Sequence, residues 1–196
     1  MKIFDALPDC PDQPVALTIG NFDGVHRGHQ AMLATLRRAA LQRRLPACVM
    51  TFEPHPREFL YPLNAPSRLT TLKEKASLLS GLGVDRLYVC PFDERLANMP
   101  AHLFVSRLLI EQLCTQWLLV GDDFRFGAQR SGDLALLREL GDGSGFDVAS
   151  LSTVEDQGER ISSTAVREAM ERGDRARLAA LLGRPRLLPR GLPQAV

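Results

Sequence analysis

The stretch Gly20-Asn-Phe-Asp-Gly-Val-His-Arg-Gly-His29 constrains this chain more than any other part of it. It follows an apolar run, residues 15–19, and leads into a long amphipathic segment, residues 29–44. An apolar run, a glycine-punctuated turn and a helical pattern, in that order, predict a strand, a tight loop and a helix start. A helix start presents N–H groups without intrahelical partners and a partial positive charge, so it is a natural seat for phosphate. His26 and His29 stand three residues apart at that helix mouth, where both rings can project toward one point.

The same alternation runs through the rest of the chain. Residues 47–52, 85–90, 116–120 and 146–151 are short apolar runs, as expected of strands buried on both faces. Between them lie helical patterns. Residues 71–82 place Leu72, Ala76 and Leu79 at helical spacing, with Gly81 and Gly83 as stop signals. A second pattern starts at Pro100 and carries Leu103, Phe104, Leu108 and Leu109. Others cover residues 133–140, the segment opening at Ile161-Ser-Ser-Thr164, and residues 174–182. This order predicts an α/β fold: a Rossmann-like, doubly wound, mainly parallel five-stranded sheet with helices on both faces. Residues 1–185 are expected to form one domain and residues 186–196 an unstructured tail, since that end holds prolines but no periodicity.

Open α/β sheets bind ligands outside the carboxyl ends of their strands. The unusual residues fall there: 20–29 after the first strand, Glu53-Pro-His-Pro56 after the second, and 121–127 after the fourth. The prolines flanking His55 predict a rigid, extended loop. The histidine turn is not a P-loop, because no Gly-Lys-Ser/Thr follows it, and its glycines do not match G-x-G-x-x-G. A zinc site would need third and fourth ligands at suitable spacing, and His55 is the only other nearby candidate.

Composition closes off other classes. A net charge of +1 in 196 residues offers no electrostatic case for nucleic acid or an anionic membrane. No apolar run approaches the ~18 residues of a membrane span, and the first residues lack the apolar core of a signal peptide. Cys10, Cys48, Cys90 and Cys114 show no paired metal spacing. Cys48 and Cys90 lie in strand-like runs and are expected as buried free thiols, with a reducing, cytoplasmic setting as the default. Burial accounts for the apolar helix faces, which call for no partner subunit.

Four blocks together carry a family resemblance. The first is 20–29, which contains a His-x-Gly-His signature extended by Phe22-Asp23-Gly24. Then come Thr51-Phe-Glu-Pro-His-Pro-Arg57, Gly121-Asp-Asp-Phe-Arg-Phe-Gly127 with Arg130-Ser-Gly132, and Ile161-Ser-Ser-Thr-Ala-Val-Arg167. The first signature resembles the nucleotidylyltransferase superfamily. All four in this order resemble prokaryotic FAD synthetases, the FMN adenylyltransferase module of bifunctional riboflavin kinase/FMN adenylyltransferases. The resemblance runs from about Leu17 to Pro185. It implies FAD biosynthesis by magnesium-dependent transfer of AMP from ATP to FMN, releasing pyrophosphate.

The resemblance also implies roles. His26, His29 and Arg167 would be catalytic. Gly20, Asn21, Phe22, Asp23, Gly24, Gly28, Ser162, Ser163 and Thr164 would join them around ATP, with Asp23 either reaching the nucleotide or holding the turn. Arg167 would grip the β- and γ-phosphates, although composition alone makes it an exposed helix arginine. Phe52, Pro54, Pro56, Phe126 and Arg130 would border the flavin, and Asp123, or its neighbour Asp122, would meet magnesium. An FMN phosphate has a second pKa near ~6 and is mostly ionised at neutral pH, so no general base is needed.

Most relatives continue beyond Leu-Gly-Arg-Pro into a β-barrel flavokinase domain with a Pro-Thr-Ala-Asn motif. This sequence reaches Leu182-Gly-Arg-Pro185 and then gives only a short stretch without that motif. It is expected to lack riboflavin kinase activity and to draw FMN from a separate riboflavin kinase. Two other readings stand beside this one. One is a superfamily enzyme acting on another phosphorylated acceptor, against which the second and third blocks speak. The other is a flavin- or nucleotide-binding module for regulation or storage, against which intact His26, His29, Thr164 and Arg167 speak.

Overall fold

Successive side chains of a strand point to opposite faces, and the apolar runs of this chain are covered on both. The computed structural model describes residues 1–156 and 158–184; the expected tail, with Pro185, lies outside the described residues. In chain order the elements begin with β1 Lys2–Phe4, β2 Val15–Ile19, α1 Arg27–Arg43, β3 Ala47–Glu53, α2 Pro56–Leu60, α3 Leu72–Gly81 and β4 Arg86–Pro91. There follow α4 Glu94–Ala97, α5 Ala101–Leu103 continuing as a wider π-type helix over Phe104–Gln112, β5 Thr115–Gly121, α6 Leu134–Ser144 and β6 Asp147–Leu151. The chain then forms a small hairpin of β7 Glu155–Asp156 and β8 Glu159–Arg160, and helices α7 Ser163–Glu171 and α8 Arg175–Leu182.

Among the described residues, six strands make one parallel sheet in the order β1-β4-β3-β2-β5-β6. The five expected strands are β2 to β6; the sixth corrects the count. β1 is a three-residue edge strand with no apolar run to announce it. It is held by tertiary contacts: Phe4 stacks on Tyr88 at 5.0 Å, and the Arg86 guanidinium donates to both carboxylate oxygens of Asp12 in the following loop.

Two cores flank the sheet. Val15, Leu17, Ile19, Cys48, Met50, Tyr88, Leu118 and Val120 face one side, against Phe104, Val105, Leu109 and Leu137 of the α5 continuation and α6. Ala16, Val49, Leu87, Trp117 and Leu119 face the other, against Leu33, Leu36, Ala76 and Leu79 of α1 and α3. Cys48 and Cys90 are buried free thiols whose pKa values burial pushes up to about 12. A third cluster packs α7 and α8 through Val166, Ala169, Leu181 and Leu182 onto Leu69 and Ile161. No helix among the described residues is long and apolar enough to cross a membrane.

Two local expectations shift. The helix expected from residue 29 begins at Arg27, because His26 caps it, its side chain accepting from the His29 N–H. The loop around His55 also turns helical at Pro56. Pro56 sits where its missing N–H costs nothing, and His55 and Glu58 form a reciprocal capping box.

From β2 the chain moves outward through β3 and β4 on one side, and through β5 and β6 on the other. The switch point lies between β2 and β5, whose carboxyl ends carry the histidine turn and the segment 121–124.

Candidate active site at the switch point

The turn after β2 is set by packing. Phe22 has a positive φ of 48° and is fully buried, its ring 4.9 Å from that of His29. Gly24 adopts φ 77°, and a Cβ there would come within 2.9 Å of Leu69. Gly28 lets helix α1 start close to its neighbours: a Cβ would lie 3.2 Å from the His26 ring and 3.4 Å from the Ile161 carbonyl. Gly24 therefore makes room for protein, and Gly28 does so while also lying on the wall of the switch-point cavity. Phe22 likewise supports the His29 ring from within the core.

His26 and His29 stack with ring centroids 3.7 Å apart and planes 18° from parallel. Burial lowers the His26 pKa to about 4, assisted by Arg160 and Arg184 and opposed by Asp23. Burial also holds His29 well below its ordinary value, with further contributions from His26 and Lys75. Both rings are thus neutral at physiological pH, and each carries one N–H. Nδ1 of His26 accepts from the His29 backbone, which places its proton on Nε2. His29 Nδ1 and Asn21 Oδ1 are buried without a hydrogen-bond partner among the described residues.

These rings face a cavity of about 290 Å³. Its walls are Ile19, Gly20, Phe22, Gly28 and Met32 on the β2–α1 side, Gly121, Asp122, Asp123 and Phe124 from the end of β5, and 151–154 from the end of β6. Arg160, Ile161, Ser162 and Ser163 close it. Ser162 caps α7 by accepting from the Ala165 N–H, and Ser163 Oγ donates to the Asp23 carbonyl at 3.0 Å. The histidine turn and the start of α7 are therefore tied directly.

Asp23 holds the turn. Its carboxylate accepts from the Leu69 and Thr70 N–H groups, from Thr70 Oγ1, and from Arg167 Nη2 at 2.6 Å. Arg167 Nε also donates to the Ser67 carbonyl, while Nη1 makes no hydrogen bond among the described residues. Thr164 is exposed and lies off the cavity wall. Asp123 pairs with Arg160 at 2.5 Å across the cavity mouth. Among the described residues no three His, Cys, Asp or Glu side chains group as a metal cage. A hydrated magnesium needs few protein oxygens, and Asp123 beside a phosphate would fit it.

The residues expected around a flavin do not converge on this cavity. Phe126 is core: it packs on Phe104 and Phe124, and a Cβ on Gly132 would meet its ring at 2.6 Å. Phe124 stands on the wall in its place. Arg130 and Pro54 are exposed, and Pro56 opens α2. Phe52 lines a smaller cleft with Asp23, Glu53, His55, Arg68, Thr70 and Lys75. Arg160 and Phe124 are among the wall residues that the sequence reading passed over as site residues, as are Ile19, Met32 and 151–154. A charged residue before a helix cap gives no signal of its own, and strand-end alternation alone does not tell Phe124 from Phe126.

A doubly wound parallel sheet with a histidine-bearing helix start at its switch point defines a Rossmann-like α/β protein. The chain belongs to the FAD synthetase family, whose model matches residues 10–165. It is 48% identical over 179 residues to the bifunctional riboflavin kinase/FMN adenylyltransferase of Escherichia coli strain K12, covering 91% of this chain and 57% of that protein. To the Pseudomonas fluorescens protein of the same name it is 50% identical over 168 residues, covering 86% and 54%. The chain thus spans a little over half the length of these curated relatives. A solved structure of a macrolide-efflux protein from Streptococcus pneumoniae superposes with a TM-score of 0.79 at 26% identity, covering 90% of this chain and 58% of that one. A pantoate-beta-alanine ligase from Francisella tularensis superposes at 0.56 and 16% identity, with coverage of 87% and 77%, a likeness of fold alone.

Proposed function

We propose that this chain transfers the adenylyl group of ATP to the phosphate of FMN, giving FAD and pyrophosphate. The observation that carries the reading is the pair of neutral, stacked imidazoles at the start of α1, facing the cavity at the switch point. A phosphate oxygen of FMN forms a bond to the α-phosphorus as the bond from that phosphorus to the bridging oxygen breaks. Pyrophosphate departs with the bonding electrons. The ionised nucleophile needs no base, so the protein's work is alignment and charge stabilisation.

Neutral His26 and His29 each offer an N–H to phosphate oxygens without the cost of a buried charge. The α1 and α7 N-termini add backbone donors, and Ser162 and Ser163 order the second of these. Arg167, fixed by Asp23 and Ser67 and lying off the cavity wall, would offer Nη1 to an oxygen of the departing group. Magnesium, held by Asp123, would neutralise charge on the ATP phosphates. Phe124 offers a flat apolar wall to a ring. FMN would come from a riboflavin kinase activity outside these residues, and the reaction belongs to the cytoplasm, with no nucleic acid or membrane partner.

The test is a chromatographic assay. FMN with magnesium and ATP should yield FAD and pyrophosphate, and riboflavin with magnesium and ATP should yield no FMN. Tight FMN binding without FAD formation would sink the reading.

A further inference from the structure

Among the described residues, Lys75 is a buried cation that the site chemistry leaves over. It lies on the buried face of α3 beside Ala76 and Leu79, only 6% exposed. A buried ammonium normally has a carboxylate against it. Here the neighbouring carboxylates are taken: Asp23 by Arg167, Leu69 and Thr70, and Glu53 and Glu58 by Arg68. Among the described residues the one side-chain hydrogen bond of Lys75 is from Nζ to Thr51 Oγ1, at 3.3 Å. Thr51 Oγ1 in turn donates to the Asn21 carbonyl at 3.2 Å, and Thr51 is fully buried. The relay ends where the histidine turn leaves β2.

We infer that Lys75 is a positioning residue for adenylyl transfer, holding the Asn21 carbonyl through the Thr51 hydroxyl and so fixing the turn that carries His26 and His29. The inference rests on the proposed reaction. An ammonium donating to a hydroxyl strengthens that hydroxyl as a donor, which suits a relay from a buried charge to a backbone carbonyl. Lys75 also contributes to holding His29 neutral. A purely structural role fits poorly, because a buried cation without an ion pair is a net cost to folding.

The two roles differ in sign. Lys75→Met keeps the stem and removes the charge. A positioning role predicts an unchanged or raised Tm, kcat lower by about 10- to 100-fold, and KM for ATP within about threefold of the parent. Thr51→Val, which breaks the relay but keeps the lysine, should lower kcat in the same way. An unchanged kcat in either variant, or a kcat loss in Lys75→Met that merely follows a lowered Tm, overturns the inference. Amide exchange keeps it separate from the proposed reaction. The Gly20 N–H donates to the Met50 carbonyl and the Val25 N–H to that of Phe22. Both should exchange about tenfold faster in both variants. If the parent makes no FAD, the functional reading fails, and unchanged exchange at Gly20 and Val25 then overturns the role of Lys75.

Discussion

Arg167 Nη2 lies 2.6 Å from the Asp23 carboxylate, joining α7 to the histidine turn across 144 residues of sequence, and both side chains are largely withdrawn from solvent. Asp23 keeps three protein donors without Arg167, whereas Arg167 without Asp23 loses its counter-charge. The pair is therefore unequal. Asp23→Ala should cost about 3–5 kcal/mol of unfolding free energy, and Arg167→Gln distinctly less, as measured by urea denaturation. Equal losses would mean that the ion pair with Arg167, and not the Leu69 and Thr70 donors, carries the hold of Asp23 on the turn.

The stacked histidines set a catalytic expectation. His29→Ala removes one preorganised donor from the cavity while leaving the His26 cap on α1 as an acceptor. FAD formation should fall by about 10²–10³-fold with circular dichroism unchanged. Activity within threefold of the parent would remove His29 from the chemistry.

Acid should unfold this protein through the same pair. The His26 pKa falls from 6.5 to about 4 on folding, so the unfolded chain takes up the proton first as pH drops. The stability tied to neutral His26 is whole above pH 6.5 and is lost as pH falls from 6.5 toward 4, about 3 kcal/mol in all. His29 acts in the same direction. Denaturation curves across this window should show the loss, and His26→Gln should flatten it.

Gly28 and Gly143 make a matched test of space. Gly28→Ala drives a Cβ against the His26 ring and the Ile161 carbonyl, and should lose about 1–3 kcal/mol together with activity. Gly143 lies within α6, and a Cβ there meets nothing within 4 Å. Gly143→Ala should be neutral or stabilise by up to about 1 kcal/mol. Thermal melts of the two variants compare them directly.

Arg160 and Asp123 are both more than half exposed, so their pair should add little to stability, within about 1 kcal/mol. Yet Arg160 is a cation on the cavity wall. Arg160→Gln should leave the melt nearly unchanged and raise KM for ATP several-fold, most clearly at low ionic strength. An unchanged KM at low salt would make the pair a surface contact only.

The sequence by itself determined the strand–turn–helix around 20–29, the parallel doubly wound sheet and the end of the sheet at which the cavity lies. Those depend on local periodicity and on glycine and proline chemistry, which a linear reading can see. The four blocks also named the family before any geometry was known. Only the tertiary structure decided what each block residue does with its side chain. β1 exists because Tyr88 and Arg86 hold it, Phe126 turns into the core while Phe124 faces the cavity, and Asp23 is given to Arg167. Lys75 has the composition of a surface helix lysine and lies buried behind the histidine turn. These outcomes come from partners distant in sequence, and no local pattern encodes which buried polar group will meet which.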